Sequence, residues 1–311
     1  MIRVQNLTRY YGDFAALDGA SFELREGEIV GLLGLNGAGK STTMKILAGL
    51  MMPSSGSVAI DDHDLLADPD AVRASIGFLP EEPPLYRDMT VTSFLVHAGR
   101  IKGMSPADVQ ARLPSVIQAC DLQGREDQLI GTLSHGYKKR VGIAQAIIHK
   151  PRLIILDEPI SGLDPAQIVE MRQVVRGLAE GASVIVSSHI LSEISQTCDR
   201  ILVLHDGKLV AQGTESELVS RGGGDRRLVI TVRGEAEPFE RWLTQHAMVE
   251  RTDRREASAG QARFLVELSQ DDRETFLAQL VEHGFGLRLV EAPEDELEEI
   301  FLSLTGQEAA A

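Results

Sequence analysis

Apolar and polar positions alternate along residues 1–11, MIRVQNLTRYY, and again along 19–34, GASFELREGEIVGLLG. A period of two sends successive side chains to opposite faces, so both stretches predict strands. EIVGLL inside the second is apolar after its glutamate, as a buried strand requires. GSVAIDDHDL (56–65) and SIGFLPEEP (75–83) predict two further short strands. From residue 90 to about 130 the pattern becomes helical, most clearly in SFLVHAGRIKGM and ADVQARLPSVIQAC. KKRVGIAQAIIHKP (138–151) predicts an amphipathic helix. PRLIILDEP and GASVIVSSH hold short strands with continuous apolar centres, the signature of a parallel sheet covered on both faces. Between them PAQIVEMRQVVRGLAE is an amphipathic helix, so the unit is βαβ. DRILVLHDGKLVAQG then predicts a hairpin turning at Asp206-Gly207.

RGGGD (221–225) is the most linker-like stretch, and usage shifts nearby, because Lys208 is the last lysine of the chain. Two domains are therefore expected, over residues 1–220 and 225–311. In the second, RRLVITV, EPFERWLTQH, VERTDRREA, ARFLVELS, DRETFLAQLVEHG and LRLVEAP read strand, helix, strand, strand, helix, strand. That order predicts a ferredoxin-like α+β domain. EDELEEIFLSLTG (294–306) predicts a closing helix. Trp242, the single tryptophan, is expected in this domain's core, with ligand stacking as the alternative.

Residues 34–42 read GLNGAGKST and fit G-x-x-x-x-G-K-[ST] at Gly34, Gly39, Lys40 and Ser41. An apolar strand precedes them, and STTMKILAGL follows with helical spacing. This is the context of a phosphate-binding loop. Backbone N–H groups wrap phosphate oxygens where no side chain intrudes, and the helix N-terminus adds positive charge. Lys40 would reach the β- and γ-phosphates, and the Ser41 hydroxyl would hold Mg²⁺. LIILDEP places Asp157 and Glu158 at the exposed end of a buried strand. The first suits ordering of Mg²⁺ and the second proton abstraction from an attacking water.

Composition narrows the class. The chain has 311 residues, 43% hydrophobic, enough for a large domain and a smaller one. A net charge of −15 disfavours nucleic acid as a partner. Cys120 and Cys198 form no CxxC, which fits a reducing compartment, and the eight histidines show no metal-ligand spacing. No apolar run nears the ~18 residues of a membrane span, so any service to a membrane is expected to run through a partner.

LSHGY (133–137), then SGLDP (161–165) directly after the carboxylate pair, then SSH (187–189) at the next strand end, complete an ordered series. Over residues 1 to about 220 the sequence resembles the ABC-type ATPases, specifically the nucleotide-binding subunit of an ABC transporter. The resemblance implies an α/β P-loop cassette: a mixed sheet core, an antiparallel β part and a helical lobe at about 88–145. It implies ATP and Mg²⁺ as ligands. It places Tyr11 on adenine, with Tyr10 the weaker candidate, and the phosphate loop at Gly34, Asn36, Gly37, Ala38, Gly39, Lys40, Ser41 and Thr42. Ser134 and Gly136 would reach the γ-phosphate held by a second copy in a head-to-tail dimer. Asp157 becomes the Walker B aspartate, Glu158 the catalytic base and His189 the switch histidine, and Ser161 to Asp164 form a loop at the dimer interface. Glu81, in FLPEEPPLY, stands where most relatives carry a glutamine that contacts Mg²⁺; it is a metal ligand or a loop residue only. His135 and Tyr137 depart from the common LSGGQ signature, while Ser134 and Gly136 keep it. LPEEPPLY with LSHGY looks like exporters of the ABC-2 type, including gliding-associated ones. The implied function is ATP hydrolysis that powers export through a separate integral-membrane permease, with this chain peripheral on the cytoplasmic face of the inner membrane. A soluble ABC ATPase of DNA repair or translation is the alternative, disfavoured by the single phosphate loop and the absence of long heptad inserts.

Overall fold

Strands Ile2–Tyr11 (β1) and Phe14–Leu24 (β2) pair antiparallel, and their inward positions Val4, Leu7, Leu17 and Leu24 are buried. Ile29–Leu33 (β3) follows, buried at every position, and leads into the helix Lys40–Leu47 (α1). Ser55–Ile60 (β4) and His63–Asp64 (β5) extend the first pair into a four-stranded antiparallel sheet of order β2-β1-β4-β5. A short helix, Pro69–Ala74 (α2), precedes Ile76–Leu79 (β6). The helical stretch comprises Val91–Ile101 (α3), Pro106–Ala119 (α4) and His135–Ile147 (α5). Next come Leu153–Asp157 (β7), Pro165–Leu178 (α6), Ser183–Ser188 (β8), Leu191–Ser195 (α7), Arg200–His205 (β9) and Lys208–Gly213 (β10). This computed structural model describes residues 1–221, 226–255 and 260–291. The chain divides into two units, Met1–Thr214 and Glu215–Ala311.

The first unit is built on a six-stranded sheet of order β10-β9-β3-β8-β7-β6. Its pairings are parallel except at β10, which joins β9 through the expected hairpin. Asp206 and Gly207 both take positive φ, 45° and 76°, as a type I′ turn demands. Helix starts are set by side-chain caps: Thr90 for α3, Ser105 for α4 and Asp164 for α6 accept from backbone N–H groups in the first turn. Each such cap contributes about 1 kcal/mol. Adjacent strands β3, β8 and β7 end together, so the segments after them share one edge of the sheet, where open α/β sheets bind ligands.

Helix α5 is not amphipathic in the expected way. From 139 to 147 every residue except the half-buried Gln145 is buried, including Lys139 and Arg140. The helix is packed among α3, α4, β6 and β7, so no broad face meets solvent. The charges survive because they are partnered: Arg140 pairs with Asp121 and Glu170, and Lys139 donates to backbone carbonyls.

Lys102 and His149 meet at one carbonyl. The Lys102 Nζ and the His149 Nε2 both sit on the Ile76 carbonyl, at 3.1 and 3.0 Å. Burial, reinforced by the Lys102 charge, pushes the His149 imidazole down to about 4 from its ordinary 6.5. Between those values the unfolded chain holds the extra proton, so stability is full above pH 6.5 and falls as the pH drops toward 4. Urea midpoints of wild type and His149→Gln should therefore converge as the pH falls from 7 to 4.5. A gap independent of pH would remove His149 from the acid response.

In the second unit, Glu215–Arg221 (α8) is followed by Arg227–Arg233 (β11), Ala236–Gln245 (α9), Val249–Arg255 (β12), Gln261–Leu268 (β13), Arg273–Glu282 (α10) and Gly286–Glu291 (β14). The sheet runs β12-β13-β11-β14, all antiparallel, which is the ferredoxin-like order. Its core joins Phe239, Phe276 and Leu280 to the alternate positions of β11 and β13, Phe264 among them. Trp242 packs on this core, stacked with Phe239 at 6.1 Å and tilted against Phe276 at 5.7 Å. The closing helix expected at 294–306 and the glycines at 222–224 lie outside the described residues.

Candidate active site

The loop between β3 and α1 is shaped by what its glycines exclude. A Cβ on Gly34 would stand 2.6 Å from the Leu204 carbonyl oxygen. One on Gly39 would meet the Ala16 oxygen at 2.6 Å, and Gly39 has φ +106°, strained for any L side chain. Gly39 is also the N-cap of α1 and brings no capping side chain, so the first-turn N–H groups have no side-chain competitor for an anion. Lys40 is buried, and its Nζ donates to the loop's own carbonyls at Gly34 (2.7 Å) and Leu35 (3.3 Å). Burial lowers its pKa, opposed by the charges of Glu158, Asp157 and Glu81. Three carboxylates thus converge electrostatically on one ammonium.

At the end of β7, Asp157 is buried and its Oδ1 accepts from the Ser187 Oγ at 2.6 Å. The same Oγ accepts from the Glu158 N–H at 2.9 Å, so one hydroxyl on β8 fixes both acidic residues. Glu158 has φ +47°, a left-handed backbone that costs a residue with a Cβ. Both of its carboxylate oxygens lie 3.1 Å from the His189 Nδ1. His189 directly follows β8, where Ser188 donates to Glu193 at 2.7 Å and pins the turn. A protonated Nδ1 can bond the carboxylate only as donor, which aims and holds it.

Gly39, Lys40, Glu158 and His189 line a cavity of about 450 Å³. Asn36, Gly37, Gly39, Lys40, Ser41 and Thr42 form one side, and Glu81, Glu158, Ser161 and His189 another. Tyr11 lines it as well; the Arg9 guanidinium covers one of its ring faces at 5.2 Å from the centroid. Tyr10 is its strand neighbour and points to the other side of the sheet, so it does not line the cavity. Gly34 and Ala38 shape the loop from behind. Asp157 stands under the cavity and reaches it electrostatically.

Three sequence-selected residues are elsewhere among the described ones. Ser134 is exposed and caps α5, Gly136 packs against Gln167, and Asp164 caps α6 by accepting from the Gln167 N–H at 2.9 Å. None of them lines the cavity of its own chain. Ser187, Phe14 and Lys139 escape sequence reasoning. Phe14 is 64% exposed, pairs with Tyr11 at the start of β2 and lines the cavity, and its only signal in the sequence is an aromatic just after the Gly12-Asp13 turn.

Among the described residues no cluster of His, Cys, Asp and Glu forms a metal site by itself. Ser41, Glu81 and Asp157 nevertheless fit a hard cation, since all supply oxygen donors and Mg²⁺ completes its shell with phosphate and water.

A phosphate loop, a carboxylate pair and a histidine on three neighbouring strand ends define a P-loop ATPase cassette. The family model for ABC transporters matches residues 17–161. The linearmycin resistance ATP-binding protein LnrL of Bacillus subtilis is 33% identical over 99% of this chain and 99% of its own length. The bacitracin transport ATP-binding protein BcrA of Bacillus licheniformis is 32% identical over 98% of this chain and 97% of its own. Among solved structures, an ATP-binding subunit of an ABC transporter superposes with a TM-score of 0.65 at 35% identity, covering 72% of this chain and 93% of that one. A dimeric bacterial ABC transporter cassette does so at 0.62 and 28% identity, covering 69% and 98%. The chain belongs to the ABC transporter ATP-binding family, and it is an ATPase.

Proposed function

We propose that the chain powers export of a substrate through a separate integral-membrane subunit, and that two copies close head-to-tail around ATP at the cytoplasmic face of the membrane. The observation that carries the hydrolytic part is Glu158, held by His189 across the cavity from the phosphate loop. In this reading Tyr11 stacks on the base. The loop from Gly34 to Thr42 cradles the phosphates, with Asn36 and Thr42 at its rim and Lys40 on the β- and γ-oxygens. Glu158 takes the proton of the attacking water, and His189 holds that carboxylate and meets the γ-phosphate. Ser41, Asp157 and Glu81 hold Mg²⁺, which when bound neutralises phosphate charge. Ser134, Gly136 and Asp164 serve the copy opposite. We assign the nucleotide chemistry to the first unit, and dimer contact or regulation to the second.

Export is supported by the names of relatives, which include Nod factor export ATP-binding protein I of Rhizobium sp. strain N33, 34% identical. No helix among the described residues is long and apolar enough to cross a membrane, and in this reading the membrane path is supplied by the separate subunit. Tagged chain purified from its own membranes in detergent should bring down a multi-span membrane protein, and ATP should drive transport by the reconstituted pair. Recovery only with ribosomes or DNA would favour the soluble alternative.

Glu81 offers a finer test. Glu81→Gln should keep activity within a few-fold, because the amide retains an oxygen donor. Glu81→Ala should raise the Mg²⁺ concentration needed for half-maximal hydrolysis. If the alanine variant follows the wild-type Mg²⁺ titration, Glu81 is a loop residue only.

A further inference from the structure

Lys139 is a buried cation that the proposed chemistry does not use. It is 1% exposed, deep in α5, five residues beyond the Ser134 cap. Its Nζ donates to two backbone carbonyls that belong to different loops: Glu81 at 2.6 Å and Glu158 at 3.0 Å. Both residues line the cavity. We infer that Lys139 is a positioning residue that ties the Glu81 and Glu158 main chains to one another and to α5, and so sets where the two carboxylates stand.

The physical case rests on cost. Burying an ammonium is expensive unless its donors are satisfied, and a lysine that merely filled space could be an apolar side chain of similar length. Burial lowers its pKa, and the charges of Glu81, Asp157, Glu158 and Glu82 oppose that only in part, so the ammonium depends on the carbonyls that accept from it. Glu158 needs such a hold. Its φ of +47° is maintained by the Ser187 hydroxyl on its N–H and by Lys139 on its carbonyl. The Glu81 carbonyl gains the same anchor, although Glu81 itself is exposed. A rigid helix with the signature serine at its start therefore grips the backbone of the base and of the metal-side carboxylate at once. A displacement of Ser134 along the axis of α5 would be transmitted to both.

This inference rests on the hydrolytic reading for its kinetic consequence but not for the tether itself, and the test separates them. Lys139→Met keeps length and removes the donors; Lys139→Arg keeps them. In the ATP-free protein, amide hydrogen exchange of peptides spanning 79–84 and 157–162 should quicken at least tenfold in Lys139→Met, with slow exchange kept in β3 and β8, and return most of the way in Lys139→Arg. Under saturating ATP, kcat of Lys139→Met should fall at least tenfold with KM within threefold, and Lys139→Arg should recover at least half of the wild-type value. Unchanged exchange in both peptides overturns the tether whatever the turnover. Exchange that quickens equally in β3 and β8 also overturns it, because the lysine would then be a general packing residue. Quickened, confined exchange in a protein whose wild type turns over no ATP would leave the tether standing and sink the hydrolytic reading instead.

Discussion

Glu158→Gln is expected to bind ATP within about threefold of wild type and to lose roughly 10²–10⁴-fold in kcat, the usual range for a missing general base. The substitution is nearly isosteric. The amide can still face the His189 Nδ1, now 3.1 Å from both carboxylate oxygens, and the main-chain contacts with Ser187 and Lys139 do not involve the side chain. Geometry is thus kept while basicity is removed, so loss of turnover without loss of binding points at proton transfer. Steady-state hydrolysis and equilibrium binding of ATP should be measured on the same preparation. Turnover within a few-fold of wild type would take Glu158 out of the mechanism.

The second large effect concerns which chain completes the site. Ser134 and Gly136 do not line their own chain's cavity, and two copies related by a C₂ axis can exchange such surfaces reciprocally. Two covalently linked pairs distinguish the cases. In the first, one copy carries Ser134→Arg and the other Glu158→Gln. One shared site then remains intact, with its phosphate loop from the first copy and its signature from the second. In the second pair, one copy is wild type and the other carries both changes, which leaves no intact shared site. The first pair should hydrolyse at least tenfold more ATP than the second. The opposite order would mean that each chain holds a whole site, and would overturn the head-to-tail reading. Melting curves of the pairs control for Ser134, which also caps α5.

The phosphate loop was legible because its chemistry is local: glycine backbone, lysine and hydroxyl lie within nine residues. Asp157 and Glu158 were legible as acidic endings to an apolar strand, whereas His189 stood out only through the family resemblance. Most of the sheet could be read for the same reason, since β3, β7 and β8 are continuous apolar runs. Helices α2 and α7 could not, because six and five residues give too few turns to show a period. Lys139 and Arg140 were misleading rather than silent. Two adjacent cations suggest a solvated face, and only the fold shows that one meets main-chain carbonyls and the other two acids. Ser187 was hidden in plain view beside His189, because a serine's partner across two strands leaves no mark in the local sequence.

The neighbourhood β3-β8-β7 makes the sheet a ruler. Strands sit about 4.8 Å apart, so the loop that carries Lys40 and the strand end that carries Glu158 start two rungs, or about 10 Å, from each other. Main-chain hydrogen bonds set that interval, and side-chain substitution hardly alters it. The surfaces of the protein can therefore drift to suit new neighbours while the gauge of its chemistry stays fixed. Changing the gauge would take the insertion of a whole strand, a step that gradual substitution does not reach.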